Sequence, residues 1–320
     1  VTPVGITSMC RNFHGVTIEM SAGCPEALEA VRPWLSRLPE GAPADGIGIS
    51  LATCAPRPAP RAGSDLFRHG SVRAIRAADG LWLCTAACAV RLIDEPPRAE
   101  GLAEPSVPGF ATMVSEAVYL ALVELLRWCG LYHVHAACIV SPGGAVLLPA
   151  DGRCGKTTLT LAALRSGLSM VGDDAVWLRD SADGVEALGW PEPLHLDPDT
   201  AAAFGLAHRL GPSIPGGRRE LDAESVFPGA RLPFARPTEL VFPTITAADR
   251  SELRPLGRAE ALARLLRQSP LLFVEPRRAG AHLAVLRELV AQCECSELRA
   301  GTEVLAGLLP EALRSLLRPR

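Results

Sequence analysis

The chain has 320 residues, with 32 Lys or Arg against 35 Asp or Glu and a net charge of −3. That balance excludes a basic nucleic-acid tail and a polybasic membrane anchor, and 48 % apolar residues is a globular value with core enough for one large or two ordinary domains. One basic residue alone is a lysine, Lys156, and the other 31 are arginine, so a position that rejects the guanidinium fork is marked by composition.

The first hundred residues read as a small α+β unit. Val16–Met20 has strand character, and a helix is predicted over 25–38, with Pro25 at its first position and Val31, Trp34, Leu35 and Leu38 on one face. Residues 46–54 alternate as a strand, and 55–63 (APRPAPRAG) read as a turn-rich connector. Residues 71–77, 81–84 and 86–93 are predicted as an antiparallel meander turning first at Asp79-Gly80. The Pro-, Gly- and charge-rich stretch 94–109 reads as a linker, which puts the domains at 1–108 and 109–320.

The second unit is expected to open on a helix marked by Val114, Val118, Ala121, Leu122, Leu125 and Trp128 and stopped at Gly130. Glu116, Glu124 and Arg127 interrupt this most apolar stretch, so no membrane span is predicted. The N-terminus carries no long apolar run, the expected location is cytoplasmic, and the ten cysteines lack paired zinc-ligand spacing and read as reduced thiols. Strands are predicted at 132–140 and 145–148, joined by Ser-Pro-Gly-Gly. A loop and a helix ending near Gly167 follow, then strands at 168–171 and 175–178 on either side of Gly172-Asp173-Asp174. Beyond 185 the pattern is irregular until helices at 258–267 and 280–292, a strand at 296–298 and a helix over 302–317. The class is α/β or α+β with a mixed sheet.

Residues 150–157 read ADGRCGKT, a phosphate-binding loop pattern with Ala150 in place of its first glycine. An apolar strand precedes it and a helix follows. The candidate nucleotide-binding residues are Gly152, Arg153, Cys154, Gly155, Lys156, Thr157 and Thr158. Backbone amides and the helix N-terminus would face phosphates, Lys156 would bring an ammonium, and Thr157 would offer a hydroxyl to Mg²⁺. Asp173 and Asp174 end a nearby strand, where carboxylates can hold a metal or accept a proton. His133 and His135 fall on one face of a strand by alternation and make no metal site by themselves.

The stretch HAACIVSPGGAVLLPADGRCGKT, followed by GLSMVGDD, resembles the catalytic domain of HPr kinase/phosphorylase and related kinases over about Leu131–Leu178. The resemblance implies an HPr-kinase-like P-loop domain, while the α+β unit that precedes it shows no likeness to that family's own N-terminal domain. It implies ATP- and Mg²⁺-dependent transfer to a hydroxyl, that of a serine, of a protein or peptide, natural-product precursor peptides among them. It also implies a homo-oligomer, and the charge balance leaves no nucleic-acid or membrane partner expected. By the same resemblance Lys156 and Thr157 take the phosphate and Mg²⁺ positions. Asp173 takes the proton-accepting one, Asp174 is its metal or positioning partner, and His135 lies near the transferred phosphate. Arg218 and Arg219 match a basic substrate loop. A kinase of a small-molecule hydroxyl and a non-catalytic nucleotide-binding regulator are the two other readings.

Overall fold

A computed structural model describes residues 7–42, 46–53, 60, 63–214 and 216–318. The chain divides into two compact units, Val1–Leu131 and Tyr132–Arg320. Most of the connector expected at 55–63 lies outside the described residues.

The first unit is an eight-stranded mixed sheet with two helices on it. Val16–Ala22, the helix Pro25–Leu35 and Gly46–Thr53 form a strand–helix–strand unit with parallel strands. Ile47, Ile49 and Leu51 are buried while Ser50 and Ala52 are exposed, the alternation of a sheet with one face covered. The meander appears as predicted, at Val72–Ala77, Gly80–Cys84 and Cys88–Ile93.

Two expectations fail here. The stretch read as a linker holds the strand Arg98–Ala103, which lies inside the sheet, parallel to Gly46–Thr53 and antiparallel to Cys88–Ile93. Its ladder bonds are made by backbone, so a composition poor in β-formers did not reveal it. The helix Phe110–Trp128, expected to open the second unit, packs in the first. Trp34 Nε1 donates to Ser115 Oγ at 2.9 Å, the Trp34 ring meets Tyr119 edge-on, and Glu116 accepts from Ser71 N at 2.8 Å. Two of the charges that interrupt its apolar stretch pair in the interior, where Arg127 donates twice to Glu124, at 2.6 and 3.0 Å.

The second unit is built on a six-stranded mixed sheet. Its spatial order is Ser169–Gly172, Ala136–Ser141, Gly144–Pro149, Pro237–Ile245, Glu294–Ala300, Glu252–Pro255. The strand Gly144–Pro149 is buried on both faces. Val146 and Leu148 meet the cluster around the helix Lys156–Arg165, and Ala145 and Leu147 meet the cluster that includes the helices Arg258–Arg267 and Pro276–Gln292. A four-stranded antiparallel sheet adds Tyr132–Val134, Val176–Ser181, Gly184–Gly189 and Phe234–Ala235. The hairpin of Leu194–Leu196 and Arg219–Leu221 completes the unit.

The strand predicted over 132–140 is broken at His135. Its first part pairs with Val176–Ser181 in one sheet and its second with Gly144–Pro149 in another. The helix predicted over 302–317 is also broken, into a 3-10 turn at Thr302–Val304 and a helix at Glu311–Leu316. Gly307, with φ +76°, and Pro310 separate the two. The cysteines among the described residues are all free, and no described helix is long and apolar enough to cross a membrane.

Candidate active site at the turn after Pro149

The turn 150–155 links the buried strand Gly144–Pro149 to the helix Lys156–Arg165. Gly155, with φ +89°, precedes the helix, and no side chain caps its first amides. Those amides and the helix dipole therefore remain available to an anion. Arg153 takes the left-handed conformation at φ +67°. Ala150 is not among the described non-glycine residues with positive φ, so alanine fits where the pattern has glycine.

Lys156 is 4 % exposed. Its ammonium donates to Ala150 O at 2.8 Å and Asp151 O at 3.2 Å, lies 3.1 Å from His135 Nε2, and is 3.8 Å from Asp174 Oδ1. Burial pulls its pKa down, against the charges of Asp174 and Asp173.

The two acids occupy different settings. Asp173 is 3 % exposed, and Thr157 Oγ1 and Thr160 Oγ1 lie 2.6 and 2.7 Å from its two oxygens. Thr160 Oγ1 is also 3.0 Å from Lys156 O. A hydroxyl has one proton, so Thr160 satisfies both acceptors only when Asp173 itself carries a proton. Burial, followed by the charge of Asp174, raises the Asp173 pKa in that direction. Asp174 lies near Arg218 Nη1 at 3.8 Å and near two imidazoles, His135 Nε2 at 3.6 Å and His195 Nδ1 at 4.0 Å. Burial would raise its pKa, but His135, Lys156 and Arg218 together hold it below the usual carboxylate value.

A cavity of about 660 Å³ opens on these groups. Gly152, Arg153, Gly155, Lys156, Thr157 and Thr158 line it, as do His135, Asp174 and Arg218. Cys154 and Asp173 are not in its wall. Arg219 is elsewhere, with its guanidinium donating to Gly211 O and Leu210 O at 2.9 Å each, so it closes a turn. His133 is separated from His135 by the strand break. It packs edge-on against Trp177, and burial pushes its imidazole down to about 4.

Residues outside the expected set also gather here. His195 and Thr200 line the cavity. Glu192 accepts from Ala175 N at 3.1 Å, and burial, then Asp174 and Asp173, pushes its pKa up to about 8. Arg231 opposes that shift and donates to Glu192 O at 2.7 Å. The Gln268 side chain donates to Asp151 Oδ1 at 3.0 Å, and its main-chain carbonyl accepts from His135 N at 2.9 Å. Spacing alone did not single out Glu192 or His195. Gln268 lies 117 residues from its partner Asp151, a separation that carries no local signal.

Thr157, Asp173 and Asp174 offer oxygen donors, the set a hard cation such as Mg²⁺ takes. Among the described residues no group of three or more His, Cys, Asp or Glu forms a metal cage. The residues present fit an ion that completes its shell with phosphate and water oxygens, as Mg²⁺ commonly does.

No protein-family model matches this chain, and no curated protein matches it. Among solved structures it is similar to the Hpr(Ser) kinase/phosphatase from Coxiella burnetii, at 12% identity and a TM-score of 0.32. That match covers 57% of this chain and 94% of the other. Similarity at that score is distant and carries no argument about activity.

Proposed function

We propose that this chain is an ATP- and Mg²⁺-dependent phosphotransferase that moves a γ-phosphoryl group to a hydroxyl. One observation carries the reading. A buried ammonium (Lys156), an accessible carboxylate (Asp174) and an uncapped helix N-terminus share one cavity of about 660 Å³. A serine of a protein or peptide as acceptor rests on the resemblance carried by residues 131–178.

In this mechanism the loop amides and Lys156 hold the phosphates and offset the charge that gathers as the γ-phosphoryl group leaves its β-phosphate oxygen. The acceptor oxygen forms the new bond to phosphorus, and its proton passes to a carboxylate. Asp174 is the better-placed acceptor because it faces the cavity, whereas Asp173 is turned to Thr157 and Thr160. This exchanges the roles expected of the two acids. Asp173 and Thr157 become the metal side, with Asp173 ionised when the ion is present. Mg²⁺, when bound, would neutralise phosphate charge there.

The test is Lys156→Met, which should abolish ATP hydrolysis and transfer while near-UV circular dichroism stays native. Transfer retained in that variant would sink the assignment. Acceptors are to be sought as phosphate-sized mass increments on candidate peptides and small hydroxyl compounds.

A further inference from the structure

Three parallel strands of the six-stranded sheet end at one edge. Gly144–Pro149 pairs parallel with Pro237–Ile245, which pairs parallel with Glu294–Ala300. The chain leaving the first is the loop before Lys156. The chain leaving the second starts at Ile245-Thr246, and the chain leaving the third runs through Gly301 to Leu305. Ligands of α/β sheets sit outside the carboxyl ends of such strands.

The second and third of these connections are tied into one rim. Thr246 N donates to Ala300 O and Thr302 N to Ala248 O, both at 2.8 Å. Ser251 N donates to Glu303 Oε1 at 2.7 Å, and Gly301 N to Ser251 Oγ at 2.9 Å. Two large apolar side chains stay exposed on this rim, Ile245 at 39 % and Leu305 at 54 %. Both line the cavity that holds Lys156. Ile245 lies against the phosphate-loop turn itself, since a Cβ built on Gly155 would come within 2.6 Å of Ile245 Cδ1. The cations Lys156 and Arg218 lie instead about Asp174. An apolar shelf beside a phosphate-sized anion site matches a molecule that carries a flat apolar ring at one end and a polyanion at the other.

We infer that Ile245 and Leu305 seat the base of a purine nucleotide whose phosphates lie on the 150–157 loop. This rests on the phosphotransferase reading and adds the base subsite to it. The seat reads ring size more than ring edge. The nearby side chains of Thr246 and Glu303 are already engaged, with Ala300 O and Ser251 N. ATP and GTP should therefore bind alike, and CTP, with the smaller ring, more weakly.

The test is titration calorimetry of the full chain in Mg²⁺ with ATP, GTP, CTP and inorganic tripolyphosphate, repeated on Leu305→Ser. Leu305 is exposed, so its replacement should leave the fold intact. Burying part of a leucine against a ring implies about five- to tenfold weaker ATP binding in the variant, with tripolyphosphate affinity unchanged. Tripolyphosphate binding as tightly as ATP, or an unchanged ATP affinity in Leu305→Ser, overturns the base seat and leaves the phosphate loop standing. Absence of binding by every one of the four ligands overturns both.

Discussion

The ammonium of Lys156 lies 3.1 Å from Nε2 of His135, although the two residues belong to different elements. A charged lysine has only protons to give, so Nε2 is the acceptor and the ring proton sits on Nδ1. His135 thus helps to hold Lys156 beside the carbonyls of Ala150 and Asp151. Four predictions follow from this and the neighbouring geometry.

Lys156→Arg should be nearly inactive, with ATP turnover down by about a hundredfold or more, because the fork cannot reproduce a point charge that donates to two carbonyls in a 4 % exposed pocket. Steady-state ATP hydrolysis checks it, with thermal unfolding as the control for fold. Wild-type turnover would show that the shape of the cation does not matter.

The two acids should separate by assay. Asp174→Asn is expected to keep nucleotide affinity and lose about 10²–10⁴ in single-turnover transfer, as removal of a general base does. Asp173→Asn should instead raise the Mg²⁺ concentration needed for half-maximal binding or turnover. The opposite pattern would restore Asp173 to the proton-accepting role.

Glu192 makes stability depend on pH. Its carboxyl titrates at about 8 in the fold against an ordinary value of 4.5. Below 4.5 it is protonated in both states and contributes no slope. Between 4.5 and 8 the native state holds a proton that the unfolded chain has released, so stability falls as pH rises across that window. Glu192→Gln keeps an acceptor for Ala175 N without the charge. The fall in Tm between pH 5 and pH 8 should be smaller in the variant than in the wild type. An equal fall in both would remove Glu192 from the account.

The Gln268 side chain acts through Asp151, to whose carboxylate it donates and whose main-chain carbonyl accepts from Lys156. Gln268→Leu should weaken Mg·ATP binding by several-fold while costing about 1 kcal/mol of stability, the usual net worth of one hydrogen bond. Calorimetry and denaturant unfolding read the two effects. A loss of stability with unchanged nucleotide affinity would leave Gln268 a purely structural residue.

The legible parts of the fold were those with strong local period or turn chemistry. The meander around Asp79-Gly80 and the helix at 258–267 are of this kind. The strand Arg98–Ala103 was not, because its sequence, RAEGLA, has little of the β-branched character that marks strands. The helix Phe110–Trp128 was legible as a helix but not as a member of the first unit. An amphipathic stripe names the buried face and says nothing of which sheet buries it.

The same division holds at the site. Sequence by itself determined that Lys156 and Thr157 start a helix after a buried strand, that two acids end a nearby strand, and that one lysine stands alone among 31 arginines. These are properties of residue type and short spacing. Tertiary structure decided which acid faces the cavity, which arginine of the pair at 218 and 219 reaches it, and that Gln268, Ile245 and Leu305 stand beside the loop. Those facts depend on strand order and on a strand break at His135 that hands the chain from one sheet to another. Parallel pairing sets Val146 against Glu239 and Leu240 against Cys295, segments far apart in the chain, and no local period records it.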